Sequence, residues 1–280
     1  MTLSESISLA LGRDALDEAL QEAKAHIKAN PSDQDARHLY IDLLILAGDY
    51  ERADNQCSLA ATFAPEATMG FVLLRNMLRG MAARDAWFAT GAVPEFPGGP
   101  SELDKLALRI GIASRIADNQ ETQAILGALD EQRGELAMRW NGKQVSDFRD
   151  LDDRMPHALE VIMSGGGYLW IDFSKIAALT LEPISRPRDL AFRSAELSLV
   201  DGAVASVLIP AIYPGSGTDD RLRLGRETEW VEEPTGITTG RGQRCFLAGD
   251  DLVSFHDLQS LKRSQTSIDS DPTGRQVAHG

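Results

Sequence analysis

The sequence predicts a two-domain α + β protein: an N-terminal tetratricopeptide-like helical array, then a small C-terminal antiparallel β-rich α+β domain. Three observations carry this. Between Leu11 and Pro65 the positions Leu16, Ala19, Ala23 and Pro31 recur one tetratricopeptide period later as Tyr50, Ala53, Cys57 and Pro65. Up to residue 139 the apolar residues keep helical spacing. From Trp140 short β-rich runs broken by turn residues take over. The expected bounds are 1–139 for the helical domain and 140–261 for the β-rich domain, with 262–280 as a disordered tail of Ser, Asp, Thr and Gly.

In each repeat, the small Ala19 or Ala53 allows close helix approach, and Pro31 or Pro65 closes the unit by withholding a backbone N–H. Asp14 to Ala29 reads as the first helix, with Leu16, Ala19, Leu20, Ala23 and Ile27 on one face. Asp33 is the expected cap of a second helix, which is apolar on two faces, with Leu39, Leu43 and Leu46 on one and Tyr40, Ile41 and Leu44 on the other. Gly48-Asp49-Tyr50 makes a turn with Gly free to adopt positive φ. Helices then follow at Tyr50 to Phe63 and Ala67 to Thr90, the second covering the open end of a stack only two repeats long. Gly91 to Pro100, rich in Pro and Gly, is a loop. Ser101 starts a further helix to Ala117, and Glu121 to Met138 another.

In the second domain Asn141-Gly142 is a turn, Met155 to Met163 a last helix, and Gly165-Gly166-Gly167 its stop. Tyr168 to Ile171 and Leu179 to Glu182 read as strands. Leu190 to Val200 and Ala203 to Ile209 form a hairpin about Asp201-Gly202. A second pair, Arg244 to Ala248 and Leu252 to Phe255, turns at Gly249-Asp250-Asp251.

The composition restricts function. A formal net charge of −14 opposes nucleic-acid binding, which needs a basic face. No apolar run approaches the about 18 residues of a membrane span, and MTLSESISLALGRD lacks the basic start and apolar core of a signal peptide, so a cytoplasmic location is expected. Cys57 and Cys245 fall in different domains and outside any CxxC pair, so neither a disulfide framework nor a zinc site is expected.

Asp150, Asp152, Asp153 and Arg154 are the densest charged group. They read as a helix start meeting the positive end of its dipole; the alternative is a divalent-metal-dependent enzyme site built on Asp150, Asp152 and Asp153. Gly165 to Gly167 lacks the following Lys-Ser/Thr of a phosphate loop, and Pro214 breaks the G-x-S-x-G frame around Ser216. His26, His38, His157, His256 and His279 show no ligand spacing. Gly240-Arg241-Gly242-Gln243-Arg244 is a basic island, read as a solvated loop leading into a strand, with docking of an acidic group as the alternative. No cofactor is expected. A helical array beside a small β domain is a binding architecture.

Past Gly142 the segments DFRDLDDRMPHALEVIMSGGGYLWIDFSKIAALTLEPISRPRDLAFRSAELSLVDG, LIPAIYPGS, LRLGRETEW and GRGQRCFLAGDD resemble the ImpE (also TagJ or SciE-type) family of type VI secretion accessory proteins. Asp150 to Arg154, Tyr168-Leu169-Trp170, Leu208 to Gly215 and Thr228 to Trp230 fall in family order. The chain departs from the pattern in the flanks of its Glu95 to Pro100 loop and in the tail beyond Leu261. The resemblance implies a cytoplasmic, non-enzymatic accessory factor whose partner is the small contractile-sheath subunit, bound through its N-terminal helix, with an indirect link to the sheath-recycling ATPase. No catalytic residue is carried over. Helix geometry places the expected partner surface on the inner face of the array, at Arg37, Tyr40, Ile41 and Leu44 of the second helix and Phe71, Leu74, Arg75 and Leu78 of the fourth.

Overall fold

Thr2 opens the first helix, α1 (Leu3–Gly12), by accepting from the Glu5 amide while the Glu5 carboxylate takes the Thr2 amide. The T-x-x-E signal is in the sequence, but no helix was expected there. α2 (Leu16–Ala29), α3 (Gln34–Leu46), α4 (Tyr50–Phe63), α5 (Thr68–Thr90), α6 (Glu102–Arg115) and α7 (Asn119–Arg133) follow. Asp33 caps α3 and Ser101 caps α6 as expected, and Gly48 takes φ 72° in the turn before α4. The computed structural model describes residues 1–63 and 68–264. Pro65, the expected start at Ala67, and most of the expected tail (265–280) lie outside them.

The β strands are β1 (Met138–Trp140), β2 (Lys143–Val145), β3 (Phe148–Asp150), β4 (Ala158–Met163), β5 (Tyr168–Asp172), β6 (Ile176–Leu181), β7 (Phe192–Leu199), β8 (Val204–Pro210), β9 (Ile212–Tyr213), β10 (Thr228–Glu232), β11 (Thr238–Gln243), β12 (Cys245–Ala248), β13 (Asp251–Ser254) and β14 (Ser260–Arg263). A one-turn helix, α8 (Asp220–Arg223), precedes β10. The main sheet runs β2-β1-β14-β6-β7-β8-β4-β5, with two three-stranded sheets, β10-β11-β9 and β13-β12-β3, and every pairing between named strands is antiparallel. The expected hairpins stand: β7 and β8 pair from Phe192↔Pro210 to Ser198↔Val204, and β12 pairs with β13.

Three expectations are corrected. Met155 to Met163 is not a helix; Ala158–Met163 is β4, buried along almost its whole length. A strand covered on both faces has no alternation for periodicity to detect. Gly165 to Gly167 therefore ends no helix but turns β4 into β5, with the Gly166 amide donating to the Met163 carbonyl at 2.9 Å. The basic island is not a solvated loop: Gly240 to Gln243 lie in β11 and the Arg244 side chain is buried. β14 also extends two residues past the expected end of the second domain.

One face of the main sheet and the helices share a core. Ala158, Ile162, Tyr168, Trp170, Phe192 and Leu208 join the buried side chains of α1 to α6. Contact is close because α5 carries Gly80, where an added Cβ would lie 2.6 Å from the Ile162 side chain. Trp87 of α5 meets Trp170 edge-on at 5.1 Å between ring centroids. The opposite face closes over Phe148, Phe173, Phe246 and Phe255. The Pro/Gly-rich loop lies along the edge strand: the Glu95 amide donates to the Tyr168 carbonyl at 2.9 Å and the Glu95 carbonyl accepts from the Trp170 amide at 3.1 Å. It thus covers a sheet edge that would otherwise be an open pairing template.

Candidate functional site

The expected partner surface is core. Arg37, Tyr40, Ile41, Leu44, Phe71, Leu74 and Leu78 are all buried. α3 is sandwiched, so both of its apolar faces are covered by neighbouring elements. Arg37 donates to Gln56 Oε1 at 2.8 Å and to the Pro31 carbonyl at 2.6 Å. The half-buried Arg75 is held by Asp54 in two hydrogen bonds of 2.7 and 2.9 Å. No open groove remains there for a partner helix.

What the α4–α5 pair leaves uncovered is its outer side. Leu59 and Phe63 on α4, with Met69, Val72 and Leu73 on α5, are between 41% and 71% exposed. The spacings 59/63 and 69/72/73 put each set on one helix face. Exposed apolar residues that share a helix face are more informative than single ones.

The acidic cluster is corrected as well. No helix starts at Asp150 to Arg154; the segment is the end of β3 and a turn. Each carboxylate is committed to protein donors. Asp150 accepts from the Tyr213 hydroxyl at 2.7 Å and the Asp152 amide at 2.9 Å, with Arg244 at 3.5 Å. Asp152 accepts from the Gly240 amide at 2.9 Å and is clasped by the Arg154 guanidinium, which lies over the Phe88 ring. Asp153 accepts from the Thr238 amide at 2.6 Å and so ties the turn to β11. Among the described residues no group of three or more His, Cys, Asp or Glu is placed to hold a metal ion.

These contacts belong to a larger buried network where helices meet sheet. Glu160, completely buried on β4, receives Arg84 of α5 through two hydrogen bonds of 2.8 and 3.0 Å, the Tyr168 hydroxyl at 2.6 Å, and Arg244. The Trp170 indole donates to the Tyr168 oxygen at 2.8 Å, and Arg84 also reaches the Ile212 carbonyl at 2.9 Å. Burial pushes the Asp150 carboxyl up to about 6 despite Arg244, and lowers Arg244 to about 10, where it still carries its proton at neutral pH. Asp42 with Arg186, at 2.9 and 3.1 Å, and His157 with Asp104, at 3.0 Å, are further ties between helices and sheet. Sequence reading singled out Arg244 in the basic island but missed Arg84 and Glu160, although a charge inside the apolar runs around Met81 and in ALEVIM signals an obligatory partner. The network joins two layers; Asp150, Asp152, Arg154, Glu160 and Arg244 also line a small pocket, and Arg244 Nε and Nη1 have no hydrogen-bond partner among the described residues.

No helix among the described residues is long and apolar enough to cross a membrane. Cys57 and Cys245 are buried and unpaired, as expected.

Residues 142–262 match the family described as ImpE protein. Over 255 residues, 88% of this chain and 86% of the relative, the sequence is 29% identical to the type VI secretion system accessory component TagJ of Pseudomonas aeruginosa. The fold is similar to the crystal structure of protein VPA1032 from Vibrio parahaemolyticus, with a TM-score of 0.85 and 27% identity, over 94% of this chain and 98% of that one. Residues 142–262 therefore match an ImpE domain, and the likeness to the two proteins extends over most of the helices before it.

Proposed function

We propose that this protein is a non-enzymatic, cytoplasmic accessory adaptor of a type VI secretion system, receiving the N-terminal helix of the small contractile-sheath subunit on the outer side of α4 and α5. The reading of the helical array as tetratricopeptide-like is part of this proposal. The accessory role is supported by the likeness to TagJ. The docking mode rests on one observation, the exposed set Leu59, Phe63, Met69, Val72 and Leu73, which offers apolar anchors at the spacing an amphipathic helix matches. Any link to the sheath-recycling ATPase runs through the sheath subunit. A metal-dependent reaction at Asp150, Asp152 and Asp153 is not proposed, because Arg244 and Tyr213 take up Asp150, Arg154 takes up Asp152 and the Thr238 amide takes up Asp153.

The test is a calorimetric titration of the full chain with a synthetic peptide of the sheath subunit's N-terminal helix from the same cell. Saturable binding with a negative heat-capacity change is expected, and Val72→Asp together with Leu59→Asp should abolish it while leaving the circular dichroism unchanged. Binding that survives both substitutions refutes the α4–α5 surface, and absence of binding refutes the partner.

A further inference from the structure

A second uncovered feature lies at the other end of α5, about 27 Å from Met69 at 1.5 Å per residue. Here α5, α6 and the turn between β10 and β11 enclose a cleft of about 220 Å³. Trp87, Phe88, Ala107 and Ile237 give it apolar walls, and Arg115 stands at its mouth.

Arg115 is fixed in place. Its guanidinium donates to the Gly111 carbonyl at 2.9 Å and the Trp87 carbonyl at 2.5 Å, and lies 4.7 Å from the centre of the Trp87 ring. Gly91 leaves it room, since a Cβ there would come within 2.9 Å of the guanidinium. Among the described residues it forms no ion pair with a carboxylate, in a chain that carries 42 acidic residues against 28 basic ones. Of the other charged groups in the lining, Arg154 is clasped by Asp152, and Glu233 accepts from the Thr239 hydroxyl at 2.8 Å and keeps its negative charge. Burial disfavours the charged form of Arg115, and an anion beside it would restore what burial removes.

Two residues that line the cleft, Thr235 and Ser114, carry hydroxyls that are themselves buried and have no partner among the described residues, and Thr235 is only 4% exposed. Buried polar groups are rarely left unpaired. Ile112 and Ile116, on the same helix as Arg115 or at its end, are 57% and 68% exposed.

We propose that this cleft is a docking site for a segment of a partner polypeptide, taking one bulky apolar side chain between Trp87 and Ile237 with a carboxylate next to it on Arg115. The space suits a single large side chain. The locked guanidinium supplies bidentate donors without a new ordering cost. The site shares none of the α4–α5 residues, so it stands or falls separately from the sheath-helix proposal.

The experiment uses the full chain and two probes that differ only in charge, N-acetyl-leucine and N-acetyl-leucinamide, titrated to tens of millimolar and followed by amide NMR shifts. The free acid should bind at least about tenfold more tightly than the amide and shift the amides of residues 111–117 and 233–239 but not those of 59–73. Arg115→Gln should erase the preference for the acid. Equal affinity of the two probes, shifts spread outside the cleft, or no saturation by either overturns the proposal, and the shift map on the unsubstituted chain decides even if Arg115→Gln disturbs Trp87.

Discussion

Glu160 is the residue on which most of the interior polar chemistry converges. It holds Arg84, Arg244 and Tyr168 with no exposure to water, so its removal leaves two guanidiniums buried without their carboxylate. Glu160→Gln should therefore cost about 3–5 kcal/mol in urea unfolding, far more than an exposed ion pair such as Lys143 with Asp251 contributes. Asp150 gives a pH signature. Burial raises its carboxyl from 3.8 to about 6, so the folded chain holds that proton more tightly than the unfolded chain does. Its contribution to stability is complete below pH 3.8 and is lost as pH rises through about 6. Asp104 and Asp147, lowered by their partners against the effect of burial, contribute in the opposite sense, and their share is lost as pH falls. Comparison with Asp150→Asn separates the two: the wild-type advantage over this variant should shrink between pH 4 and pH 7 in urea titrations. An advantage that grows with pH would mean that Arg244 outweighs burial. Which carboxylates were present was legible in the sequence. Their partners were not, because Arg84, Glu160 and Arg244 come together from α5, β4 and the start of β12.

At the scale of elements, legibility followed exposure. α2, α3, α4 and α6 were read nearly to their bounds because turn residues and caps such as Asp33 and Ser101 mark them. The β7–β8 hairpin was read from Asp201-Gly202 and its alternation. β4 was lost because neighbours cover both of its faces, and β11 because Gly240 and Gly242 look like loop residues. Their real reason is tertiary: a Cβ on Gly240 would lie 2.3 Å from the Tyr213 ring, and one on Gly242 2.3 Å from the Glu227 carbonyl oxygen. Gly166 shows the same logic at the β4–β5 turn. It takes φ 95°, and a Cβ there would come within 2.8 Å of the Asn76 carbonyl oxygen on α5. Gly166→Ala should cost about 1–3 kcal/mol, and Gly165→Ala, which meets nothing, much less; equal costs in thermal unfolding would refute the close approach of hairpin and helix. At the helix starts, Ser101→Ala should cost about 1 kcal/mol by leaving the Asp104 amide unbonded.

For the whole molecule, the decisive feature is the core shared between helices and sheet. Trp87, Trp170, Tyr50 and Phe192 pack across the junction, and the network around Glu160 crosses it. The two parts should therefore unfold together, with helix loss by far-UV circular dichroism and tryptophan exposure by fluorescence sharing one midpoint. Two separated midpoints would show independent cores. The sequence by itself determined the α + β class, the order and approximate lengths of most helices, two hairpins and the resemblance to the ImpE family, since these depend on local spacing, caps, turn residues and motif order. Only the tertiary structure decided that Tyr40, Ile41, Leu44 and Phe71 are core, that Asp150 and Asp152 answer arginines, and that apolar residues of α4 and α5 and the cleft beside Arg115 are among the uncovered features. Periodicity tells which residues lie on an apolar face. What covers that face depends on elements distant in the chain.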